Sequence, residues 1–310
     1  MRRFVFSDAC LDNGCAITIG NFDGLHLGHQ TMLSQLKKAA KARDLPTMVV
    51  LFEPQPMEYF NKSSSPARLM SFRQKVESIR ELGIDAVICL SFNKPLALLS
   101  ARRFVESILC QKIKARYVLV GQDFKFGHKR QGNTQLLSEL SDEFGFETAL
   151  CELTEQDSEK VSSTRVRHAL TQGDLTTAKQ LLGRPYQISG RVKHGAKRGR
   201  LIGVPTANIQ IKHLPLTLRG VFSVEVLHNN TTYSGVANVG FRPTVSGNTP
   251  QLEAHLFDFS GDLYGQRIVV SFIQKIRNEQ KFESFEALTT QIKQDIITAQ
   301  QQLRISHEHL

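Results

Sequence analysis

The chain contains no tryptophan, so stacking on a planar ligand falls to its 19 Phe and 5 Tyr. It contains no Cys-x-x-Cys pair, and its five cysteines (Cys10, Cys15, Cys89, Cys110, Cys151) are odd in number and scattered. That usage argues against a disulfide framework and for reduced, mostly buried thiols. No apolar run reaches the roughly 18 to 20 residues of a membrane helix. The basic start Met1-Arg2-Arg3-Phe4 meets Ser7-Asp8 and Asp12-Asn13-Gly14 rather than an apolar stretch, which argues against a signal peptide. A cytoplasmic protein is the expectation. Acidic residues are scarce: 29 Asp and Glu stand against 39 Lys and Arg, for a formal net charge of +10. Such a balance suggests an anionic partner, whether nucleic acid, membrane surface or phosphorylated small molecule.

What is present is a folded composition. With 41% hydrophobic and 22% charged residues, 21 Gly and 10 Pro, disorder and a collagen-like chain are excluded. A length of 310 residues suggests two domains. The first part alternates strand and helix patterns. Strands are read at 14–20, 46–53, 85–92, 115–121 and 146–153, with helices at 27–43, 71–82, 100–113 and 133–144 between them. This implies a parallel sheet with helices on both faces and ligands beyond the carboxyl ends of its strands. Two short helices, 163–171 and 174–182, follow. From Tyr186 to Ile276 the pattern becomes short alternating runs with a hairpin tip at His228-Asn229-Asn230-Thr231, as in a small antiparallel barrel or sandwich. A long helix, 282–303, closes the chain, with Phe285, Leu288, Ile292 and Ile296 on one stripe. The boundary is placed at Gly183-Arg184-Pro185, giving domains 1–183 and 184–310.

The first chemical signal is Gly20-Asn21-Phe22-Asp23-Gly24-Leu25-His26-Leu27-Gly28-His29, between a strand and a helix. Histidines three residues apart at a helix start put both imidazoles on one side. Gly28 lets a ligand approach the backbone, and the helix N-terminus offers free N–H groups. Together these make a phosphate site suited to phosphoryl or nucleotidyl transfer without a covalent intermediate. Either histidine alone would read as an ordinary loop or surface residue. Zinc is a poorer reading, because the i,i+4 spacing and the Glu of the helical zinc-protease motif are missing.

Gly121-Gln122-Asp123-Phe124-Lys125-Phe126-Gly127 continues into His128-Lys129-Arg130-Gln131-Gly132-Asn133-Thr134. The latter part nearly matches a P-loop, but Asn133 stands where the motif needs Lys, so a P-loop kinase is rejected. Val161-Ser162-Ser163-Thr164-Arg165-Val166-Arg167 opens another helix, where Ser or Thr can cap and Arg can meet anions. In combination, GNFDGLHLGH, GQDFKFG and VSSTRVR resemble the adenylyltransferase half of bacterial bifunctional riboflavin kinase/FAD synthetases, within the His-x-Gly-His nucleotidyltransferase superfamily.

The later domain carries Gly190-Arg191-Val192-Lys193-His194-Gly195, then Arg198-Gly199-Arg200, then Gly203-Val204-Pro205-Thr206-Ala207-Asn208-Ile209. Gly235 to Thr244, Leu252-Glu253-Ala254-His255 and Asp262-Leu263-Tyr264-Gly265 follow in order. This series resembles the riboflavin kinase domain of the same family, and the resemblance spans nearly the whole chain. Val204 and Phe222 depart from it, standing where relatives usually carry an aromatic residue and often a Tyr. A Thr hydroxyl and an Asn amide oxygen two positions apart are hard neutral ligands that suit Mg²⁺ alongside nucleotide phosphates.

The resemblance implies a Rossmann-like α/β nucleotidyltransferase domain followed by a six-stranded antiparallel β-barrel with a terminal helix. It implies phosphorylation of riboflavin to FMN by MgATP, then adenylylation of FMN to FAD. It assigns His26 and His29 to charge stabilisation in the adenylyl step and Glu253 to proton abstraction in the kinase step. Thr206 and Asn208 take the metal. Asn21, Asp23, Gly28, Asp123, Ser163, Thr164, Arg167, Gly195 and Arg200 form the nucleotide and flavin contacts. The implied partners are ATP, riboflavin and FMN, with neither nucleic acid nor membrane, for a monomer or weak homo-oligomer. The charge agrees: residues 175–224 hold nine basic residues and no acidic one, so nearly all of the +10 surrounds the Pro-Thr-Ala-Asn segment. A nucleic-acid-binding protein is the alternative from another class, and no recognition module supports it.

Overall fold

A computed structural model describes residues 1–7, 13–61, 64–151, 155–156, 159–195, 202–211, 216–244 and 247–308. Two units result, Met1–Pro66 with Phe72–Ser162, and Ala67–Ser71 with Ser163–Leu310.

The first unit is a six-stranded sheet: β1 (Arg2–Val5), β2 (Cys15–Ile19), β3 (Thr47–Glu53), β4 (Ala86–Ser91), β5 (Ala115–Val120) and β6 (Glu147–Leu150), in the order β1-β4-β3-β2-β5-β6. Strands β2 to β6 pair in parallel, as the alternating pattern requires. β1 adds an antiparallel edge on β4, from Arg2 opposite Cys89 to Val5 opposite Ala86, so the sheet is mixed. With two arginines in four mostly exposed residues, β1 has no periodicity to read. The inner strands show none of the polar alternation of a one-sided sheet, because both faces are covered; β2 is buried throughout. The chain runs from β2 outward through β3 and β4, then returns to β5 and β6. The β2/β5 boundary is therefore the switch point, where this architecture leaves a crevice.

Helices follow each of strands β2 to β5. They are α1 (Leu27–Lys41), α2 (Pro56–Phe60), α3 (Phe72–Glu81), α4 (Lys94–Ala97), α5 (Ala101–Phe104) and α6 (Thr134–Phe144). α1 buries Leu33, Leu36 and Ala40. The single helix expected at 100–113 is divided, since α5 runs on as a π-helix, Val105–Ile113. Asn133, the residue that spoils the P-loop, caps α6: its Oδ1 accepts from the Leu136 N–H at 2.8 Å. A two-residue ribbon, β7 (Glu155–Gln156) with β8 (Glu159–Lys160), precedes the end of the unit.

The second unit begins with α7 (Ser163–Gln172) and α8 (Leu175–Leu182). A closed antiparallel barrel follows: β9 (Tyr186–Lys193), β10 (Ala207–Gln210), β11 (Gly220–His228), β12 (Thr231–Thr244), β13 (Gly247–Leu256) and β14 (Arg267–Arg277), ordered β10-β13-β12-β11-β14-β9. β10 has only four residues, too few to register as a periodic run. The hairpin tip lies where expected, with Asn229 and Asn230 at φ 46° and 64°, the left-handed pair of a primed turn. Phe222 meets Phe272 edge-on at 5.3 Å in the core, where a phenyl ring leaves no buried hydroxyl to satisfy.

The last helix, α9 (Phe285–Glu308), covers the outer barrel face, with Ala299 and Leu303 against Val221, Val236 and Phe257. Ile296 of the expected stripe packs on the same cluster, but the stripe departs from expectation at two positions. Phe285 is 47% exposed, whereas Asp295 is 3% exposed. Asp295 is drawn in by Arg277, whose Nη2 and Nε reach its carboxylate at 2.7 and 2.9 Å. Cys15, Cys89 and Cys151 are buried free thiols and Cys110 is half-buried; Cys10 lies outside the described residues.

Candidate active sites in the two units

The first site stands at the switch point. The loop 20–26 leaves β2 with Phe22 and Leu25 at φ 47° and 45°, and both side chains are 1% exposed. Left-handed backbone at bulky residues is strained and persists only where packing over-determines it. The loop ends in His26, the N-cap of α1, whose Nδ1 accepts from the His29 N–H at 3.3 Å. A neutral His26 then carries its proton on Nε2. The His26 and His29 rings stack at 3.7 Å with an 18° tilt, and Phe22 packs against His29 at 4.8 Å. His29 keeps a partly open face, yet its Nδ1 is buried with no hydrogen-bond partner. Burial first, then the charges of His26 and Lys75, hold its pKa well below the ordinary imidazole value. His29 is therefore neutral at pH 7. Gly28 has a packing reason of its own: a Cβ there would lie 3.3 Å from two His26 ring atoms and 3.4 Å from the Val161 carbonyl. Asp23 is 2% exposed, and Asn21 is exposed.

A cavity of about 810 Å³ opens here, lined by Gly20 and Asn21 after β2, His29 on α1, and Gly121 and Asp123 after β5. Phe52, Tyr59, Phe60 and Phe92 form one wall, packed edge-on at 5.2 to 5.8 Å. Phe124 and Phe126 add a stacked pair at 5.4 Å. Lys94, Lys125, Lys129 and Arg130 also line it and supply positive charge. The near-P-loop segment is a different structure: Phe126 and Gly132 form an antiparallel bridge that closes a tight turn, with Lys129 and Arg130 left-handed. The aromatic wall went unread in the sequence. Its signal was aromatics placed just beyond the carboxyl ends of two strands, at Tyr59-Phe60 and Phe92. Asp123 pairs with Lys160 at 2.9 Å, and that hydrogen bond is the main cause of its lowered pKa. Its side chain is 78% exposed, so the pair adds little to stability. Lys75 also went unread: it is 3% exposed and donates to the Asn21 backbone oxygen. Ser163, Thr164 and Arg167 share the first turns of α7, in the second unit, and Arg167 Nε donates to the Ala67 carbonyl at 2.6 Å.

The second site is a row across the outside of the barrel. Leu252 and Ala254 are wholly buried, so Gln251, Glu253 and His255 alternate to the other face. Asn208 stands opposite Glu253 on one side, and Asn238 stands opposite it on the other. Asn208, 8% exposed, donates from Nδ2 to the Thr206 carbonyl at 3.1 Å and accepts at Oδ1 from Gln251. The same Gln251 amide reaches Glu253 Oε1 at 3.1 Å, linking the expected metal ligand to the expected base. His255 Nδ1 bonds the Pro205 carbonyl at 2.8 Å and ties the 205–206 segment to β13. Gly195 abuts this row: a Cβ would come within 2.6 Å of the Asn208 amide. Arg200 lies outside the described residues, as do Lys197, Arg198 and Lys212 of the basic stretch. No three His, Cys, Asp or Glu among the described residues cluster as metal ligands. Thr206 and Asn208 offer neutral oxygens, and Asn208 Oδ1 keeps a lone pair beyond the one used by Gln251. That donor set fits a Mg²⁺ ion brought in with nucleotide phosphates better than a resident one.

Fold and sites together define a two-unit transferase of phosphate groups, an α/β unit with a His-x-Gly-His loop joined to a β-barrel. The FAD synthetase family model matches residues 9–165 and the riboflavin kinase model residues 182–303. The bifunctional riboflavin kinase/FMN adenylyltransferase of Haemophilus influenzae is 47% identical over 291 residues, covering 92% of this chain and 93% of that one. That of Escherichia coli K12 is 44% identical over 93% of this chain and 92% of its own, and that of Pseudomonas fluorescens 46% over 92% of each. A solved structure from Streptococcus pneumoniae, described as a macrolide-efflux protein, superposes with a TM-score of 0.76 at 29% identity, covering 94% of this chain and 95% of that one. No helix among the described residues here is long and apolar enough to cross a membrane. The chain belongs to the bifunctional riboflavin kinase/FMN adenylyltransferase family and is an enzyme with those two activities.

Proposed function

We propose that the two activities are divided along the chain, with residues 1–183 transferring the adenylyl group to FMN and residues 184–310 phosphorylating riboflavin. The observation that carries the first half is the stacked His26–His29 pair on a strained, buried loop above an aromatic-walled cavity. The isoalloxazine ring lies against Phe52, Tyr59, Phe60 and Phe92, as a planar apolar ligand would. An oxygen of the FMN phosphate attacks the α-phosphorus of ATP, and the bond to the β-phosphate oxygen breaks to release pyrophosphate. His26 through Nε2–H, His29 and the start of α1 stabilise the charge on the reacting phosphate, and Gly28 lets it come close. Asn21, Asp23 and Asp123 contact nucleotide or flavin, while Ser163, Thr164 and Arg167 grip the departing phosphates.

In the barrel, Glu253 accepts the proton of the ribityl 5′-hydroxyl, whose oxygen attacks the γ-phosphorus as ADP leaves. Thr206 and Asn208 hold Mg²⁺, which when bound neutralises charge on the ATP phosphates. Gly195 and Arg200 border the nucleotide. The support is the in-register Asn208–Glu253 pair bridged by Gln251. The reading includes a cytoplasmic monomer or weak homo-oligomer acting on small molecules rather than on nucleic acid or membrane.

His29→Ala should abolish FAD formation from FMN while sparing FMN formation, and Glu253→Ala should do the reverse. Chromatography of flavins after incubation with MgATP reads both. Equal loss of the two activities in either variant contradicts the division.

A further inference from the structure

We propose that Lys75 is a positioning residue for adenylyl transfer: its buried ammonium holds the Asn21 carbonyl and thereby keeps the 20–26 loop in the shape that sets His26 and His29. The inference rests on the adenylyl-transfer reading of this site.

A lysine at 3% exposure is rare, because burying an ammonium costs far more than burying its aliphatic stem unless polar partners meet it. Here the head group reaches across from α3 to the backbone oxygen of Asn21, 54 residues earlier in the chain. That oxygen precedes Phe22, the first strained residue of the loop. The second strained residue, Leu25, is held at its own carbonyl by Gln30 Nε2 at 2.8 Å. The left-handed pair is thus bracketed by two side-chain donors, one on each side. Removing one releases strain that the loop stores at the position where it aims two imidazoles.

The charge has a second effect. Burial most of all, then His26 from the head of its own helix and Lys75 from α3, disfavour a proton on His29. Held neutral, His29 offers its N–H to phosphate without forming a resting imidazolium. Filling space alone would be served as well by a methionine, and this separates the two roles.

The test uses the full chain with K75M and K75R. K75M is expected to lower kcat for FAD formation from FMN about 100-fold, the cost of roughly 1 Å of misplacement, with a much smaller change in KM for ATP. FMN formation from riboflavin should be untouched, and K75R should recover a large part of the loss. Independently of turnover, the NMR titration of the His29 imidazole should move up in K75M and return in K75R. Wild-type kcat or an unmoved His29 titration in folded K75M overturns the proposal, as does equal loss of both activities. A wild-type chain that forms no FAD refutes the adenylyl-transfer reading instead, and the titration still decides the role of Lys75.

Discussion

Gly195→Ala offers a sharp test of the barrel site. The added methyl would sit 2.6 Å from Cγ, Nδ2 and Oδ1 of Asn208. Carbon atoms in contact settle at about 3.5 to 4.0 Å, so the amide must retreat by about 1 Å. Little room is open to it, for Asn208 is 8% exposed and bonded to both the Thr206 carbonyl and Gln251. Losing those two bonds costs about 1 kcal/mol each. Against this, Gly195 has no left-handed φ, so alanine is free of backbone strain and returns about 0.4 to 1 kcal/mol by restricting the unfolded chain. The net change is about 1 kcal/mol, too small to unfold a domain of ordinary stability. A displacement of about 1 Å at the proposed metal ligand, by contrast, is worth about 100-fold in rate. The assay is riboflavin phosphorylation across a range of Mg²⁺ concentrations, with FAD formation from added FMN measured in the same preparation. The expected result is a large loss of phosphorylation, partly recovered at high Mg²⁺, with FAD formation intact. Wild-type phosphorylation at low Mg²⁺ would refute the reasoning, and so would parallel loss of both activities.

Two further outcomes follow from buried charge. Asp295→Ala leaves Arg277 without its carboxylate beneath α9 and should destabilise the second unit by about 3 to 5 kcal/mol, read by denaturant unfolding; a loss under 1 kcal/mol would mean that water replaces the pair. His29 has a folded pKa below its unfolded one, so the unfolded chain binds the proton first, and this group lowers stability as pH falls below about 6.5. His29→Phe should therefore flatten the decline of Tm between pH 7 and pH 5; an unchanged slope would count against the buried neutral imidazole.

Much of the fold was legible because it is local. The helix at 27–43 ends within two residues of the observed α1, and Leu33 and Leu36 face the core as their spacing implies. The Asn229-Asn230 turn follows from two residues that tolerate left-handed backbone. Failures came where a distant partner overrode local pattern. β1 is too polar to read and exists because β4 offers it an edge. Asp295 interrupts the apolar stripe of α9 because Arg277 waits beneath it.

The sites divide in the same way. His26, Gly28 and His29 belong to one turn of chain, and Thr206 and Asn208 are two residues apart, so their motifs could be seen in sequence and their resemblance named. The Asn21 grip of Lys75, the aromatic wall beyond β3 and β4, and the Gln251 bridge from Asn208 to Glu253 join segments tens of residues apart. Sequence alone determined most of the order of elements, through short-range periodicity, and the motifs whose resemblance named the family. Only the tertiary structure decided the strand order, and with it the crevice, which residues lose their water, and which charges meet; burial and pairing are properties of neighbours in space.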